Sequence, residues 1–201
     1  MSTNWLVWDD TGMVRDAAET KKRLLEAAVA EFATYGIAGA RVDRIAARAG
    51  SNKSLIYTYF GNKDDLFNSV FESLVVGFVE QLPLVADDLP GYAASLFDHY
   101  QQRPEILRLA TWYQLERAHL DRPPAAVTAA NAAKVAAIKQ AQRDGRISDR
   151  IGAAELLGLV LAISTVSALA HPGETATPSK AELKRRRDAV VVAVERLVAP
   201  E

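Results

Sequence analysis

Apolar residues recur every three to four positions along most of the chain, a spacing that predicts successive α-helices. In the first helix, residues 20–35, one face carries Leu25, Ala28 and Phe32, and Gly36 follows as a left-handed stop. The sequence shows no sustained alternation of β-branched and polar residues of the kind that marks strands. The predicted fold class is all-α, with about nine helices.

Two short helices joined by a tight turn are predicted next. The first covers residues 42–49 and is broken by Gly50 and Ser51. Asn52 is a good N-cap for the second, which covers residues 53–60. These proportions are typical of a helix-turn-helix, in which the second helix enters the major groove of DNA while the first braces it.

The remaining chain continues as longer helices. A fourth helix begins after Gly61-Asn62 and ends at Pro83. Five more are expected at 91–103, 105–118, 124–144, 152–170 and 179–198. Residues 1–19 lack a clear period, and their Trp5 and Trp8 indicate either a segment docked on the body or a disordered arm.

Charge is distributed unevenly along the chain, although the formal net charge is only −1. Between Thr20 and Lys63, eight basic side chains stand against three acidic ones, which gives +5. Residues 64–201 carry fifteen basic and eighteen acidic side chains, which gives −3. Phosphates are therefore attracted to the first segment and weakly repelled by the rest, as expected of a protein with one DNA-binding end.

The sequence argues against an enzyme and predicts no cofactor and no metal. It contains no Cys, no metalloprotease H-E-x-x-H, no P-loop and no G-x-G-x-x-G. Glu116 and His119 form a single Glu-x-x-His, whereas a di-iron bundle needs two such units and two further Glu. Asp98 and His99 are adjacent on one helix, and no nucleophile motif accompanies them.

A membrane location is not expected. Residues 156–170 are uncharged, but this stretch of about 15 residues is shorter than the roughly 20 that a spanning helix needs. It is better interpreted as a helix buried against its own subunit and a second copy. Asp9 and Asp10 interrupt the apolar N-terminal residues, so no signal peptide is predicted, and the expected location is the cytoplasm.

The stretch from Phe32 to Phe67, FATYGIAGARVDRIAARAGSNKSLIYTYFGNKDDLF, resembles the N-terminal domain of the TetR family of transcriptional regulators. The family pattern is an aromatic-tyrosine-glycine at the end of helix one, IA..AG in helix two and LY.YF..K..L from helix three into helix four. The matching residues are Phe32, Gly36, Ile45, Ala46, Ala49, Gly50, Ile56, Tyr57, Tyr59, Phe60, Lys63 and Leu66.

The resemblance implies a ligand-responsive transcriptional regulator, most simply a repressor that a small apolar molecule releases from its operator. It divides the chain into an N-terminal tail (1–19), a helix-turn-helix domain (20–66) and a ligand-binding and dimerisation domain (67–201). Ala40-Arg41, Ser51 and Leu55 depart from the residues common in the family. The operator sequence therefore does not transfer from other members.

DNA contacts are expected on the side of the third helix opposite Ile56 and Phe60, which face inward. Residues assigned to phosphates are Tyr57, Tyr59 and Lys63, and Lys53 can also contact a phosphate through its charge. Residues assigned mainly to bases are Lys53, Ser54, Leu55 and Thr58, and additional readers or phosphate clamps are Arg41 and Arg44. Leu55 either touches a thymine methyl or packs inward.

Two further sets of residues are nominated in the second domain. An aromatic-lined effector pocket is predicted from Phe78, Phe97, His99, Tyr100, Leu107, Trp112 and Tyr113. A homodimer interface is predicted from Leu156, Leu159, Val160, Ile163, Val190, Val194 and Leu197. The expected partners are double-stranded DNA with a palindromic operator, a small-molecule effector and a second copy of the chain.

One alternative of a different class stays open at this point. A helical dimer of this type could serve as a ligand carrier or a protein-interaction module that has no specific operator. The basic N-terminal segment, together with Tyr57, Tyr59 and Lys63, argues against that alternative.

Overall fold

The computed structural model describes residues 10–117, 125–165 and 178–200. These residues form nine α-helices and no strand, which confirms the all-α prediction. The helices are α1 (Asp10–Gly39), α2 (Val42–Arg48), α3 (Lys53–Phe60), α4 (Lys63–Gln81), α5 (Leu89–Gln102), α6 (Pro104–Arg117), α7 (Ala125–Arg143), α8 (Ala153–Ser164) and α9 (Lys180–Val198). Residues up to Val70 belong to one compact unit and residues from Phe71 to a second, so the boundary falls within α4.

Helix α1 begins at Asp10, ten residues before the start predicted at Thr20. Residues 10–19 lack a clear apolar period, but extending an existing helix requires no new nucleus and therefore costs little. Gly36 adopts φ 73° and ψ −179°, which kinks the helix near its end. Trp5 and Trp8 lie outside the described residues.

The core of the first unit is built around two phenylalanine rings. Phe32 of α1 and Phe67 of α4 are fully buried and meet edge to face, with ring centroids 5.2 Å apart. Ile45 of α2 and Ile56 of α3 are also fully buried. Apolar packing of their buried sides therefore holds the two short helices in place, and their solvent-exposed sides are free for other contacts.

The turn between α2 and α3 satisfies its backbone groups with local hydrogen bonds. Gly50 has φ 59°, and its N–H donates to the Ala47 carbonyl at 3.2 Å, while the Ser51 N–H donates to the Ala46 carbonyl at 3.0 Å. The Asn52 side chain accepts from the Leu55 N–H at 3.0 Å, which confirms the predicted N-cap. Both ends of the turn are thereby fixed.

The core of the second unit is organised by α5, which packs against α8 and α9, while α7 packs against α8. Leu96 and Phe97 of α5, Leu156 of α8 and Val194 of α9 are all buried there. No helix within the described ranges is long and apolar enough to cross a membrane.

A charged pair also fixes α9 to α5. Arg187 Nε lies 2.9 Å and 2.8 Å from the two carboxylate oxygens of Asp98. Arg187 is the last residue of the basic run at 184–187, and this ion pair joins it to the neighbouring helix α5.

Ser51 offers a direct test of packing in the turn, because its hydroxyl oxygen is buried and has no hydrogen-bond partner among the described residues. Ser51 precedes the N-cap, where an apolar side chain can pack against the fourth residue of the helix, Ile56. We therefore expect Ser51→Val to raise the free energy of unfolding in urea by about 1 kcal/mol. Ser51→Ala should gain less, because it adds no methyl groups, and a loss of stability in both variants would contradict this account.

Candidate nucleic-acid interface and ligand cavity

Helix α3 has a buried apolar side and a solvent-exposed polar side. Ile56 and Phe60 are buried, as predicted, whereas Lys53, Ser54, Tyr57 and Thr58 are exposed and Leu55 and Tyr59 are half-buried. The Thr58 hydroxyl donates to the Ser54 carbonyl at 3.0 Å. Lys53, Ser54, Tyr57 and Thr58 therefore form the accessible side of α3, to which Leu55 and Tyr59 contribute only in part.

Lys53 forms an ion pair across the two short helices. Its Nζ lies 2.9 Å from Asp43 Oδ1 in α2, and Arg41 Nη2 lies 3.8 Å from the other oxygen of Asp43. The hydrogen bond from Lys53 lowers the pKa of Asp43, and the same bond raises the pKa of Lys53. The pair is solvent-exposed, so another anion can compete with Asp43 for Lys53 at modest cost.

Glu31 is a buried carboxylate that organises the start of α2. It is only 6% exposed, and its Oε1 accepts from Arg44 Nε at 2.7 Å and from the Arg41 N–H at 2.9 Å. Arg44 Nη2 lies 2.6 Å from the same oxygen, so the contact is also an ion pair. Arg41 occupies the N-cap of α2 without a side-chain cap bond. Glu31 therefore accepts the hydrogen bond of the Arg41 N–H at the start of α2, where the usual hydroxylated cap residue is missing.

Arg44 is held in place by several partners besides Glu31. Its Nη2 donates to the Gly39 carbonyl at 3.0 Å, and its guanidinium lies 4.2 Å from the centroid of the Tyr35 ring. The hydrogen bond to Glu31 raises the pKa of Arg44. The sequence nominated Arg44 as a reader or phosphate clamp, but the structure places its guanidinium against α1.

Lys63, the first residue of α4, reaches back toward the end of α1. Its Nζ donates to the Ala38 carbonyl at 3.2 Å and to the Ala40 carbonyl at 3.4 Å. The preceding residue, Asn62, accepts from the Asp65 N–H at 2.9 Å and so caps α4. Lys63 is half-buried, and it links the first turn of α4 to the α1–α2 connection.

The second unit contains a cavity of about 520 Å³, a size typical of small-molecule sites. Its wall is formed by Phe71, Phe78, Tyr100, Ile106, Ala110, Tyr113, Gln114, Val127, Thr128, Ala130, Asn131, Lys134 and Leu161. Phe71 stacks on Tyr113 with centroids 4.7 Å apart, and Phe78 stacks on Tyr100 at 5.7 Å. These ring pairs join α4 to α6 and to α5 along the wall.

Three of the seven predicted pocket residues, Phe78, Tyr100 and Tyr113, line the cavity. Phe97 is buried in the core of the second unit, and Leu107 packs against that core. The remaining two residues also lie outside the wall, although the His99 ring contacts Phe78 at 5.0 Å and Trp112 is half-buried. Burial lowers the pKa of His99, which favours its neutral form.

The contribution of α7 to the cavity was not foreseen from the sequence. Val127, Asn131, Lys134 and Ile138 recur at helical spacing, and Lys134 and Ile138 are buried. A lysine within the inward stripe of an alanine-rich helix was the signal that could have nominated Lys134.

The predicted dimer residues fall into two groups. Leu156, Val160, Val190 and Val194 are buried in the core of their own subunit. Leu159 is 41% exposed, and Ile163 and Leu197 are partly exposed. The first group is therefore occupied within one chain, and only the second can reach a partner directly.

The structure describes only one of the two residues of the Glu-x-x-His motif. Glu116 is in α6, whereas His119 lies outside the described residues. Among the residues that are described, no group of three or more His, Asp or Glu side chains could hold a metal ion.

Two family profiles match the chain, one in each unit. Residues 24–70 match the profile described as bacterial regulatory proteins, tetR family. Residues 88–196, more than half of the chain, match the profile described as tetracyclin repressor-like, C-terminal domain.

Individual relatives are similar over much of the chain. The HTH-type transcriptional repressor SCO4008 of Streptomyces coelicolor is 46% identical over 151 residues, which span 75% of this chain and 79% of that protein. The HTH-type transcriptional repressor NicS of Pseudomonas putida is 34% identical over 102 residues, 47% of this chain and 48% of that protein. The crystal structure of SCO4942 from S. coelicolor matches with a TM-score of 0.78 at 37% identity, covering 90% of this chain and 99% of that one.

The role of Glu31 can be tested by removing its charge. Glu31→Gln keeps the size of the side chain but leaves the Arg44 guanidinium without its carboxylate, so the melting temperature should fall by several degrees. The matched control is Glu26→Gln in the same helix, because Glu26 pairs with Lys22 at the surface. The control should shift the melting temperature by about one degree or less. Equal effects of the two substitutions would contradict the organising role of Glu31.

Proposed function

The chain belongs to the tetR family of bacterial regulatory proteins, and we propose that it is a repressor that leaves its operator when a small molecule fills the cavity of its second unit. The curated relatives reported above are named as transcriptional repressors. The observation that carries the DNA-binding part is the exposed polar side of α3, held on a fixed turn and a buried apolar base.

In the proposed complex, α3 lies in the major groove. Tyr57, Tyr59 and Lys63 contact phosphates, and these contacts position the protein without reading sequence. The residues proposed to read bases are Lys53, Ser54 and Thr58, with Leu55 at the edge of the groove. Arg41 is proposed as a phosphate clamp, and Arg44 supports α2 through Glu31 rather than reading bases.

Binding of DNA by Lys53 competes with its ion pair to Asp43. A phosphate or a guanine that approaches Lys53 draws its ammonium group away from Asp43. The Asp43 carboxylate then lies near the DNA without Lys53 as its partner. Like charges repel, so Asp43 penalises any register in which a phosphate comes close to it. Asp43 would therefore add to operator specificity by opposing incorrect alignments.

Lys63 provides a test of the phosphate contacts. Lys63→Gln should weaken binding to every DNA sequence alike, and the slope of log K against log salt should become shallower by about one unit. Fluorescence anisotropy with operator and unrelated duplexes at several salt concentrations measures both effects. Lys139→Gln, which changes an exposed lysine in α7, is the control and should leave the slope unchanged. A Lys63→Gln variant that folds normally and keeps the wild-type slope would rule out this contact.

We further propose that the protein binds DNA as a homodimer through the outer sides of α8 and α9. These helices pack on each other and leave Leu159 41% exposed and Val192 51% exposed. Ile163 and Leu197 are partly exposed on the same two helices. A two-fold dimer would place its two α3 helices about 34–36 Å apart, in successive major grooves of a palindromic site.

The dimer can be tested with a charge placed on the proposed interface. Leu159→Asp should give a monomer in sedimentation velocity at micromolar concentration, because an unpaired carboxylate would have to be desolvated on association. Leu115→Asp is the matched control, since Leu115 is 70% exposed on α6 and lies outside the proposed interface. A dimeric Leu159→Asp variant would move the interface elsewhere.

Induction is proposed to act through α4. This helix carries Lys63 near its start, and Phe71 and Phe78 on the wall of the cavity. An effector that requires a different position of those two rings would shift the helix that holds Lys63. A hundredfold loss of operator affinity needs about 2.7 kcal/mol of coupling, and the operator must weaken effector binding by the same factor.

A further inference from the structure

Lys134 distinguishes the cavity from a purely apolar pocket. It lines the wall from α7, and only 9% of the residue is exposed to solvent. Among the described wall residues it is the one with a charged side chain. Lysine is rarely buried to this degree unless its ammonium group is paired.

No carboxylate pairs with Lys134 in the part of the chain that the structure describes. Its ammonium group instead lies 5.6 Å from the centroid of the Tyr92 ring, a cation–π contact that replaces only part of the lost hydration. Burial lowers the pKa of Lys134, which is the direction expected of an ammonium group without a counter-ion. Among the described residues, the ammonium form of Lys134 is therefore only partly stabilised, although it lies beside the cavity.

The remaining wall shows what else an occupant would meet. Aromatic and aliphatic side chains form most of it, and Gln114, Thr128 and Asn131 add neutral polar groups. Such a wall suits a molecule with an apolar body and a single polar end. Lys134 is the one cation among the described wall residues, and a single cation matches one negative charge better than the two charges of a phosphate monoester.

We propose that the effector is an amphipathic monoanion, whose apolar or aromatic body fills the cavity and whose carboxylate pairs with Lys134. This proposal rests on the proposed effector role of the cavity. It replaces the largely apolar effector expected from the sequence with one that carries a charge at a defined place. The carboxylate would supply the counter-ion that Lys134 lacks among the described residues.

Three probes with the same naphthalene body and different end groups test the proposal. They are 1-naphthylacetate, 2-(1-naphthyl)ethanol and 2-(1-naphthyl)ethylamine, which at neutral pH are anionic, neutral and cationic. Isothermal titration calorimetry of the full-length protein should show the acetate binding about tenfold more tightly than the alcohol. The amine should bind more weakly than the alcohol, because its charge repels Lys134.

Variants of α7 assign any such preference to Lys134. Lys134→Met keeps a side chain of similar length without charge, so the acetate should lose about tenfold in affinity while the alcohol keeps its own. Lys134→Arg retains the charge and should retain the preference for the acetate. Lys139→Met, on the exposed side of the same helix, should behave as the wild type.

The outcomes separate this proposal from the effector cavity on which it rests. Equal affinities of the acetate and the alcohol in the wild type, or a preference that survives in Lys134→Met, would overturn the monoanion proposal and leave the cavity as an effector site. Ala110→Trp places a large ring on the cavity wall and should block all three probes. Unchanged binding of all probes to a folded Ala110→Trp variant would overturn the cavity itself, and the proposal with it.

Discussion

The buried carboxylate of Glu31 is the interaction on which the DNA-facing unit depends. A carboxylate that is 6% exposed needs strong partners, and Glu31 obtains them from the Arg44 guanidinium and the Arg41 N–H. Both partners belong to the start of α2, so the charge requirement of α1 fixes where α2 begins. The tight turn at Gly50 then carries that position on to α3. The contacts of Glu31 with the start of α2 thus help to position α3, whose exposed side is proposed to read DNA.

The basic residues of this unit all contribute equally to its net charge, but they make different contacts. Arg44 is committed to α1, Lys53 is paired with Asp43, and Lys63 is hydrogen-bonded to backbone carbonyls. In the proposed complex, DNA binding would therefore exchange these existing contacts of Lys53 and Lys63 for contacts with the DNA. Lys134 presents the opposite case in the second unit, because its charge is buried and no carboxylate among the described residues pairs with it. Because Lys134 has no such carboxylate partner in the described part of the chain, we infer that it binds a ligand, whereas Arg44, which is paired with Glu31, stabilises the fold.

The local features of the fold were predictable from the sequence because short-range interactions determine them. The bounds of α3 and the Asn52 cap follow from a capping side chain, two glycines and a stripe of apolar residues. The contact between Glu31 and Arg44 joins residues thirteen positions apart on different helices, and no spacing rule reveals it. Apolar periodicity also cannot tell a core residue from an interface residue, and Val194 and Leu159 were therefore nominated together. In the cavity, aromatic content identified Tyr100 and Tyr113, but the choice of wall residues depends on how α7 packs.

Operator recognition by α3 can be tested directly by selecting genomic fragments with the purified protein and sequencing the bound DNA. The account predicts one shared, two-fold symmetric motif with half-sites about one helical turn apart. It also predicts that Ser54→Ala and Thr58→Ala alter the preferred bases of that motif, whereas Lys63→Gln lowers recovery without changing it. Bound fragments that share no motif, with recovery following only the salt concentration, would contradict the account.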